Sequence, residues 1–153
     1  MYDLFKFLHI VGAIVWIGAG FTFQVLNARL AKADDQAGIA ALSSQGEWFG
    51  KAVFSSAAGV TLVAGIITVL ASNGAWGFGD LWVTWGFVGI ALSIVFGAVL
   101  SQRLATELQD AVATEGVTSP RVAELQRRLG LYGAIDLVIL VSVVAAMVWK
   151  PGA

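Results

Sequence analysis

Four long apolar runs dominate this chain of 153 residues. Crossing the hydrocarbon core of a bilayer as a helix takes about 20 predominantly apolar residues. Each run reaches that length, and none shows the alternating polarity of a membrane β-strand. The runs therefore predict an all-α, four-span membrane protein, a single domain over residues 1–153, whose spans lie at about 4–26, 52–71, 81–100 and 129–149.

Composition agrees with a protein that is not dissolved in water. Only 12% of the residues are charged, about half the share in soluble domains, which is about 25%. The net charge of −1 argues against nucleic-acid binding, because phosphate recognition needs an excess of clustered Lys and Arg. The absence of cysteine removes disulfides and thiolate metal ligands. No Ser–His–acid set or phosphate-binding loop supports a hydrolase or a kinase.

The basic residues predict the orientation. Loops rich in Lys and Arg stay on the cytoplasmic side, so both termini are expected outside and both long connections in the cytoplasm of a bacterium, with the chain in its inner membrane. Seven of the nine basic residues lie in the two long connections, namely Arg29, Lys32, Lys51, Arg103, Arg121, Arg127 and Arg128.

The long connections are expected to continue the membrane helices. The run "SQRLATELQDAVATEG" keeps helical spacing and stops at Gly116, a residue type that ends helices. A second helix is predicted to restart with Ser119 as its N-cap and Pro120 at its first position. The predicted architecture is a four-helix bundle of two helical hairpins whose helices extend into the cytoplasm.

Two ionisable residues, His9 and Asp136, lie clearly inside spans. Such groups are costly in a bilayer and are functional hypotheses by default. At about 1.5 Å per residue, His9 is expected roughly 9 Å below the outer surface and Asp136 roughly 20 Å below it. Depth then predicts a polar ladder, with Ser142 near His9, and with Ser93, Thr61 and Trp16 near Asp136. The ladder would serve a proton relay or a transport path, whereas hydrogen bonds between helices are the structural alternative.

The face around His9 suggests a haem site. Gly12, Ala13 and Trp16 follow His9 at helical spacing, and the first two leave clearance beside the imidazole. Haem b needs a neutral imidazole, a flat gap and a cation near its propionates, which Lys6 could supply. The alternative is an imidazole that bonds to a neighbouring helix. Copper lacks support, because a copper site needs several His, Cys or Met ligands.

Short motifs in order along the chain carry a resemblance. The segments "LHIVGAIVWIGAG", "EWFG", "FGDLW" and "MVWKPG" resemble an uncharacterised family of bacterial four-helix integral membrane proteins, a domain of unknown function, over nearly the whole chain. The first segment is also distantly similar to copper-resistance D and HemJ-type proteins. That similarity implies haem b on His9. The third span has neither the lysine of HemJ-type proteins nor a histidine, so the haem would be five-coordinate or shared by a dimer.

Three functions stay open at this point. The first is a redox-associated protein that holds haem b on His9, with Asp136 in proton handling. The second is an accessory or scaffold subunit of a larger membrane complex, without chemistry of its own. The third is a small transporter or a protein that binds lipid or quinone. The expected partners are the lipid bilayer and either a second copy or a larger complex.

Overall fold

The computed structural model describes residues 1–33 and 35–152, with all their side chains except those of Glu47 and Ala98. No β-strand occurs in this described part of the chain. In chain order the helices are α1 (Tyr2–Lys32), α2 (Gln36–Ser44), α3 (Gly46–Trp48), α4 (Ser56–Leu70), α5 (Leu81–Ser93), α6 (Gln102–Glu115) and α7 (Pro120–Trp149).

Four helical stretches are long and apolar enough to cross a membrane, and they confirm the predicted all-α, four-span fold. Span one is Tyr2–Lys32, span two Phe49–Leu70, span three Leu81–Glu115 and span four Pro120–Trp149. We call the side that holds both chain ends the terminal side, and the side that holds α2 and α6 the extension side.

The four spans pack as two hairpins, spans one and two and spans three and four. The two hairpins meet where span one packs against span four. Helix α1 packs most extensively against α4, and α5 packs against α7. The hairpins are joined where α1 contacts α7. At this junction the buried side chains of Trp16, Ala57 and Leu140 form one hydrophobic cluster.

Glycines allow the close approach of neighbouring spans. A Cβ atom at Gly12 would lie 2.6 Å from Oγ1 of Thr61, and one at Gly89 would overlap Cγ2 of Val143. Thr61 of span two therefore lies directly on the backbone at Gly12, and Val143 of span four lies directly on the backbone at Gly89. Close approach of this kind is the main source of helix association in lipid, where no hydrophobic force drives helices together.

On the extension side, α6 and the first turns of α7 form a small core outside the apolar runs. It consists of Leu108, Ala111, Val122 and Leu125, all of them buried. The predicted helix ends are confirmed: α6 stops at Gly116, whose φ is 80°, and the Ser119 hydroxyl caps α7 by accepting a hydrogen bond from the backbone N–H of Arg121. The extension side therefore consists of packed, capped helices with a hydrophobic core of their own.

On the terminal side, a cation–π contact fixes the end of span four. The ammonium group of Lys150 lies 3.9 Å from the ring centroid of Trp76 and 5.4 Å from that of Trp82. Lys150 has a left-handed backbone with a φ of 45°, which a non-glycine residue adopts at an energetic cost. The two indole rings stabilise this conformation by holding the cation.

Span two begins on the extension side as π-helix over Phe49–Ser55, and span three contains a π-helix between α5 and α6, over Ile94–Ser101. In each segment a final serine donates from its hydroxyl to the carbonyl five residues earlier. Ser55 bonds to Gly50 and Ser101 bonds to Phe96. The wider winding shifts the register of the residues that follow, which affects the depth of side chains in both spans.

We expect Gly89→Ala to destabilise the bundle by about 1–3 kcal/mol, because the new methyl group would overlap a stiff, β-branched Val143 side chain. Gly59→Ala is the matched control, since a Cβ atom there meets nothing within 4 Å. Unfolding of the purified protein in mixed detergent micelles, followed by helical circular dichroism, measures both. Equal stability of the two variants would contradict the close helix contact.

Candidate functional site

His9 is bonded to span two. Its Nδ1–H donates to the backbone carbonyl of Thr61 over 2.7 Å. In a helix the side chain four residues later overhangs such a carbonyl, and here that residue is Gly65. A Cβ atom at Gly65 would lie 2.7 Å from the imidazole Nδ1. The glycine therefore both exposes the carbonyl and makes room for the ring.

The hydrogen bond to Thr61 defines the tautomer of His9. A neutral imidazole that donates from Nδ1 keeps the lone pair on Nε2. Metal-binding histidines are commonly oriented in this way, with one ring nitrogen bonded to a carbonyl and the other bonded to the metal. The same hydrogen bond is expected of a histidine that only joins two helices. The geometry is therefore compatible with haem ligation and with a structural role.

Asp136 is bonded to span three. The hydroxyl of Ser93 donates to Oδ1 of the carboxyl group, and a Cβ atom at Gly97 would lie 3.5 Å from Oδ2. Ser93 and Gly97 are four residues apart, as are Thr61 and Gly65 on span two. A hydroxyl residue followed four positions later by glycine thus receives the ionisable group in both hairpins.

Two further pairs join the spans. The Trp85 indole N–H donates to the Ser142 hydroxyl over 3.2 Å, and that hydroxyl donates to the Ile139 carbonyl in its own helix. Gln24 Nε2 donates to the Gly130 carbonyl over 3.1 Å. Sequence reasoning missed Gln24, although a carboxamide at the end of an apolar run is a recognisable signal for a bond between helices.

The predicted polar ladder differs from the arrangement in the structure. Depth counting placed Thr61 with Asp136 and Ser142 with His9. The structure pairs Thr61 with His9 through a backbone carbonyl, and Ser142 with Trp85. The Thr61 hydroxyl donates to Ala57 in its own helix. Ser93 bonds to Asp136, the residue near which depth counting placed it.

The residues predicted to surround a haem contact other parts of the protein. Lys6 is exposed and its Nζ lies 5.7 Å from the Tyr2 ring centroid. Trp16 is in the hydrophobic cluster between the hairpins, and Ala13 is half-buried. The clearance at Gly12 is filled by Thr61 of span two.

Haem therefore fits this site only in part. The imidazole of His9 offers a suitable ligand atom, but the gap predicted beside it is closed. A haem would have to approach Nε2, on the side of the ring that faces away from Thr61. Among the described residues there is also no group of three or more His, Cys, Asp and Glu side chains that could hold a metal ion.

A family model matches residues 3–151, nearly the whole chain, and its description is "Predicted integral membrane protein (DUF2269)". The chain belongs to this family. The membership confirms the family of unknown function that the sequence motifs indicated. Comparison with curated proteins and with solved structures found no match.

We expect Gly65→Ala to break the hydrogen bond between His9 and Thr61, because the added methyl group would occupy the position of the imidazole. His9 is the only histidine in the chain, so nitrogen-15 NMR of histidine-labelled protein gives a single imidazole signal set. The wild type should show the Nδ1–H tautomer, and Gly65→Ala should lose it. Gly59→Ala should leave the spectrum unchanged. A wild type protonated on Nε2 would contradict the assigned bond.

Proposed function

We propose that this DUF2269 protein is a non-catalytic accessory subunit, a rigid four-span unit that packs into a larger membrane complex. One observation carries the proposal: the two ionisable side chains inside the spans and one carboxamide are bonded to neighbouring helices of the same chain. His9 binds Thr61, Asp136 binds Ser93, and Gln24 binds the Gly130 carbonyl.

Enzymes and transporters instead keep polar groups directed at a cavity or a water-filled path. The interior between the hairpins is filled by the apolar side chains of Trp16, Ala57 and Leu140. Hydrogen-bonded pairs between helices set the register of helices in lipid. This supports a structural role for the intramembrane residues.

The outer face of span two supports contact with another membrane helix. Ser55, Ser56 and Gly59 are exposed, and a Cβ atom at Gly59 meets nothing within 4 Å. Both serine hydroxyls donate to carbonyls of their own helix. This face therefore consists of small side chains whose hydroxyl groups already have hydrogen-bond partners. Membrane helices commonly associate through surfaces of small side chains.

The second candidate function is haem b binding through His9. The observation that favours it is the donation from Nδ1 to Thr61, which leaves Nε2 as a ligand atom of fixed direction. Haem held there would supply one-electron redox chemistry. Nε2 of His9 would hold the iron, and because the chain has one histidine, a second imidazole would have to come from a second copy of the chain.

Two substitutions of His9 separate these functions. His9→Asn keeps an N–H donor near the position of Nδ1, whereas His9→Leu removes the donor. For an accessory subunit we expect a colourless protein, with His9→Asn near wild-type stability and His9→Leu destabilised by about 0.5–2 kcal/mol, the range for one hydrogen bond between membrane helices. Absorption spectra of protein expressed with ample haem, together with unfolding in detergent, measure both effects.

A Soret band in the wild type that disappears in both variants would overturn the accessory role and establish haem binding. Equal destabilisation by His9→Asn and His9→Leu, without a Soret band, would contradict the hydrogen bond as the reason for keeping the imidazole.

We expect a cysteine placed at Gly59 and labelled with a thiol-reactive, photoactivatable cross-linker to cross-link to a neighbouring helix in native membranes. The chain has no cysteine, so Gly59→Cys introduces one reporter. Val138→Cys is the control, because Val138 is 70% exposed on span four. A band at twice the mass of the chain identifies a second copy, and a band of another mass identifies a different partner. If Gly59→Cys gives no more product than Val138→Cys, the accessory role fails.

A further inference from the structure

A cavity of about 620 Å³ lies on the extension side, between the last turns of α1 and the first turns of α7. Helix α2 and residues 117–119 complete its wall. Its volume is within the range of small-molecule sites, about 300–1,000 Å³. It is separate from the pairs formed by His9 and Asp136, neither of which lines it. The accessory function proposed above does not involve this cavity.

The chemistry of its wall is distinctive. Four carboxamides line it, from Gln24, Asn27, Gln36 and Gln126, together with the Thr118 hydroxyl. Each carboxamide offers both donors and acceptors, which suits the hydroxyl groups of a ligand. In the described part of the chain the lining contains one charged residue, Arg127. One cation among neutral hydrogen-bonding groups favours a ligand with a single negative charge.

The position of Arg127 leaves donors for such a ligand. Its Nε and Nη2 atoms donate to Glu124 over 2.9 and 3.1 Å. A guanidinium group has five N–H donors, so three are not used by that pair. Glu124 also receives Arg128, whose Nε lies 2.7 Å from Oε1. The two arginines share one carboxylate, and the group of three keeps a net positive charge.

Two carboxamides are already placed for binding. Gln24 is oriented by its bond to the Gly130 carbonyl, and both residues line the cavity. Gln126 also lines it, and its Nε2 atom is buried without a hydrogen-bond partner. A buried donor without an acceptor is costly, so a small rotation of this carboxamide toward a ligand oxygen in the cavity would remove that cost. Gln126 is therefore a carboxamide that a ligand in the cavity would engage.

The cavity lies where spans one and four leave their apolar runs. Gln24 ends the run of span one and Gly130 begins that of span four. Small apolar residues, Ala28, Ala31 and Ala123, complete the wall beside the polar groups. A ligand whose polar head meets a hydrocarbon tail at the membrane boundary matches both parts of this lining.

We propose that this cavity binds a phosphodiester with a hydroxyl-bearing headgroup, such as the phosphoglycerol group of an anionic lipid. Arg127 contacts the phosphate oxygens, and the carboxamides of Gln24, Asn27 and Gln126 contact the hydroxyls. The same chemistry occurs in a soluble glycerophosphodiester, so the experiment has to separate the lipid from its free headgroup.

The test measures thermal unfolding of the delipidated full chain in detergent, followed by the fluorescence of its six tryptophans. Phosphatidylglycerol should raise the unfolding temperature as its concentration rises, because a ligand of the native state stabilises it. Phosphatidylmethanol, which has the same charge and no headgroup hydroxyl, should bind about tenfold more weakly. Phosphatidylcholine should have no effect. Soluble glycerophosphoglycerol shows whether the headgroup binds without its tail.

Arg127→Gln and Arg128→Gln form a matched pair, since both arginines bind Glu124 and only Arg127 lines the cavity. We expect Arg127→Gln to weaken phosphatidylglycerol binding about tenfold, the effect of losing a charged hydrogen bond, and Arg128→Gln to leave it within about twofold. Gln126→Leu should weaken binding without lowering the stability of the ligand-free protein, because it removes an unpaired donor.

Equal binding of phosphatidylglycerol and phosphatidylmethanol would overturn the proposal, as would equal effects of the two arginine substitutions. Loss of ligand-free stability in Gln126→Leu would overturn the assignment of that carboxamide to the ligand. Binding of the soluble headgroup alone would support the chemistry and identify a soluble ligand. Binding of the lipid alone would identify the membrane as the source.

Discussion

The structure depends on how a polar side chain is accommodated inside a bilayer. Lipid offers no hydrogen bonds, so each buried donor or acceptor has to find its partner within the protein. Helix backbones are already bonded to themselves, and their carbonyls accept a second bond only where no side chain covers them. Gly65 exposes the carbonyl that His9 reaches, and Gly97 makes room for Asp136 beside Ser93. At both sites, therefore, a polar side chain on one helix depends on a glycine in the helix that it contacts.

These polar contacts determine which helices are neighbours. The pair at His9 closes the first hairpin and the pair at Asp136 closes the second, while Gln24 ties span one to span four. The apolar surfaces alone would not distinguish one neighbour from another, since lipid is as apolar as leucine. Each polar bond adds little stability, yet it is lost if a helix rotates or slides by one residue. The register of the bundle follows from this sensitivity.

The fold was predictable from the sequence to a large extent, and the pairs between spans were predictable only in part. Length and hydropathy define the four spans, and the caps at Gly116 and Ser119 follow from local chemistry. The partner of His9 is a backbone carbonyl, which every residue has, so no sequence pattern identifies it. Depth counting also considered side chains, whereas Thr61 meets His9 through its backbone carbonyl and donates its hydroxyl to Ala57 in its own helix. The cavity on the extension side requires α2 and α7 to be placed together, which no local pattern indicates.

Helix α7 connects the two faces of the membrane as one unbroken rod. Its 30 residues correspond to about 45 Å at 1.5 Å per residue. At one end Lys150 is clamped between Trp76 and Trp82, and at the other end Arg127 lines the extension-side cavity. Because one continuous helix carries both features, the cavity and the aromatic contact are held at a fixed spacing along α7.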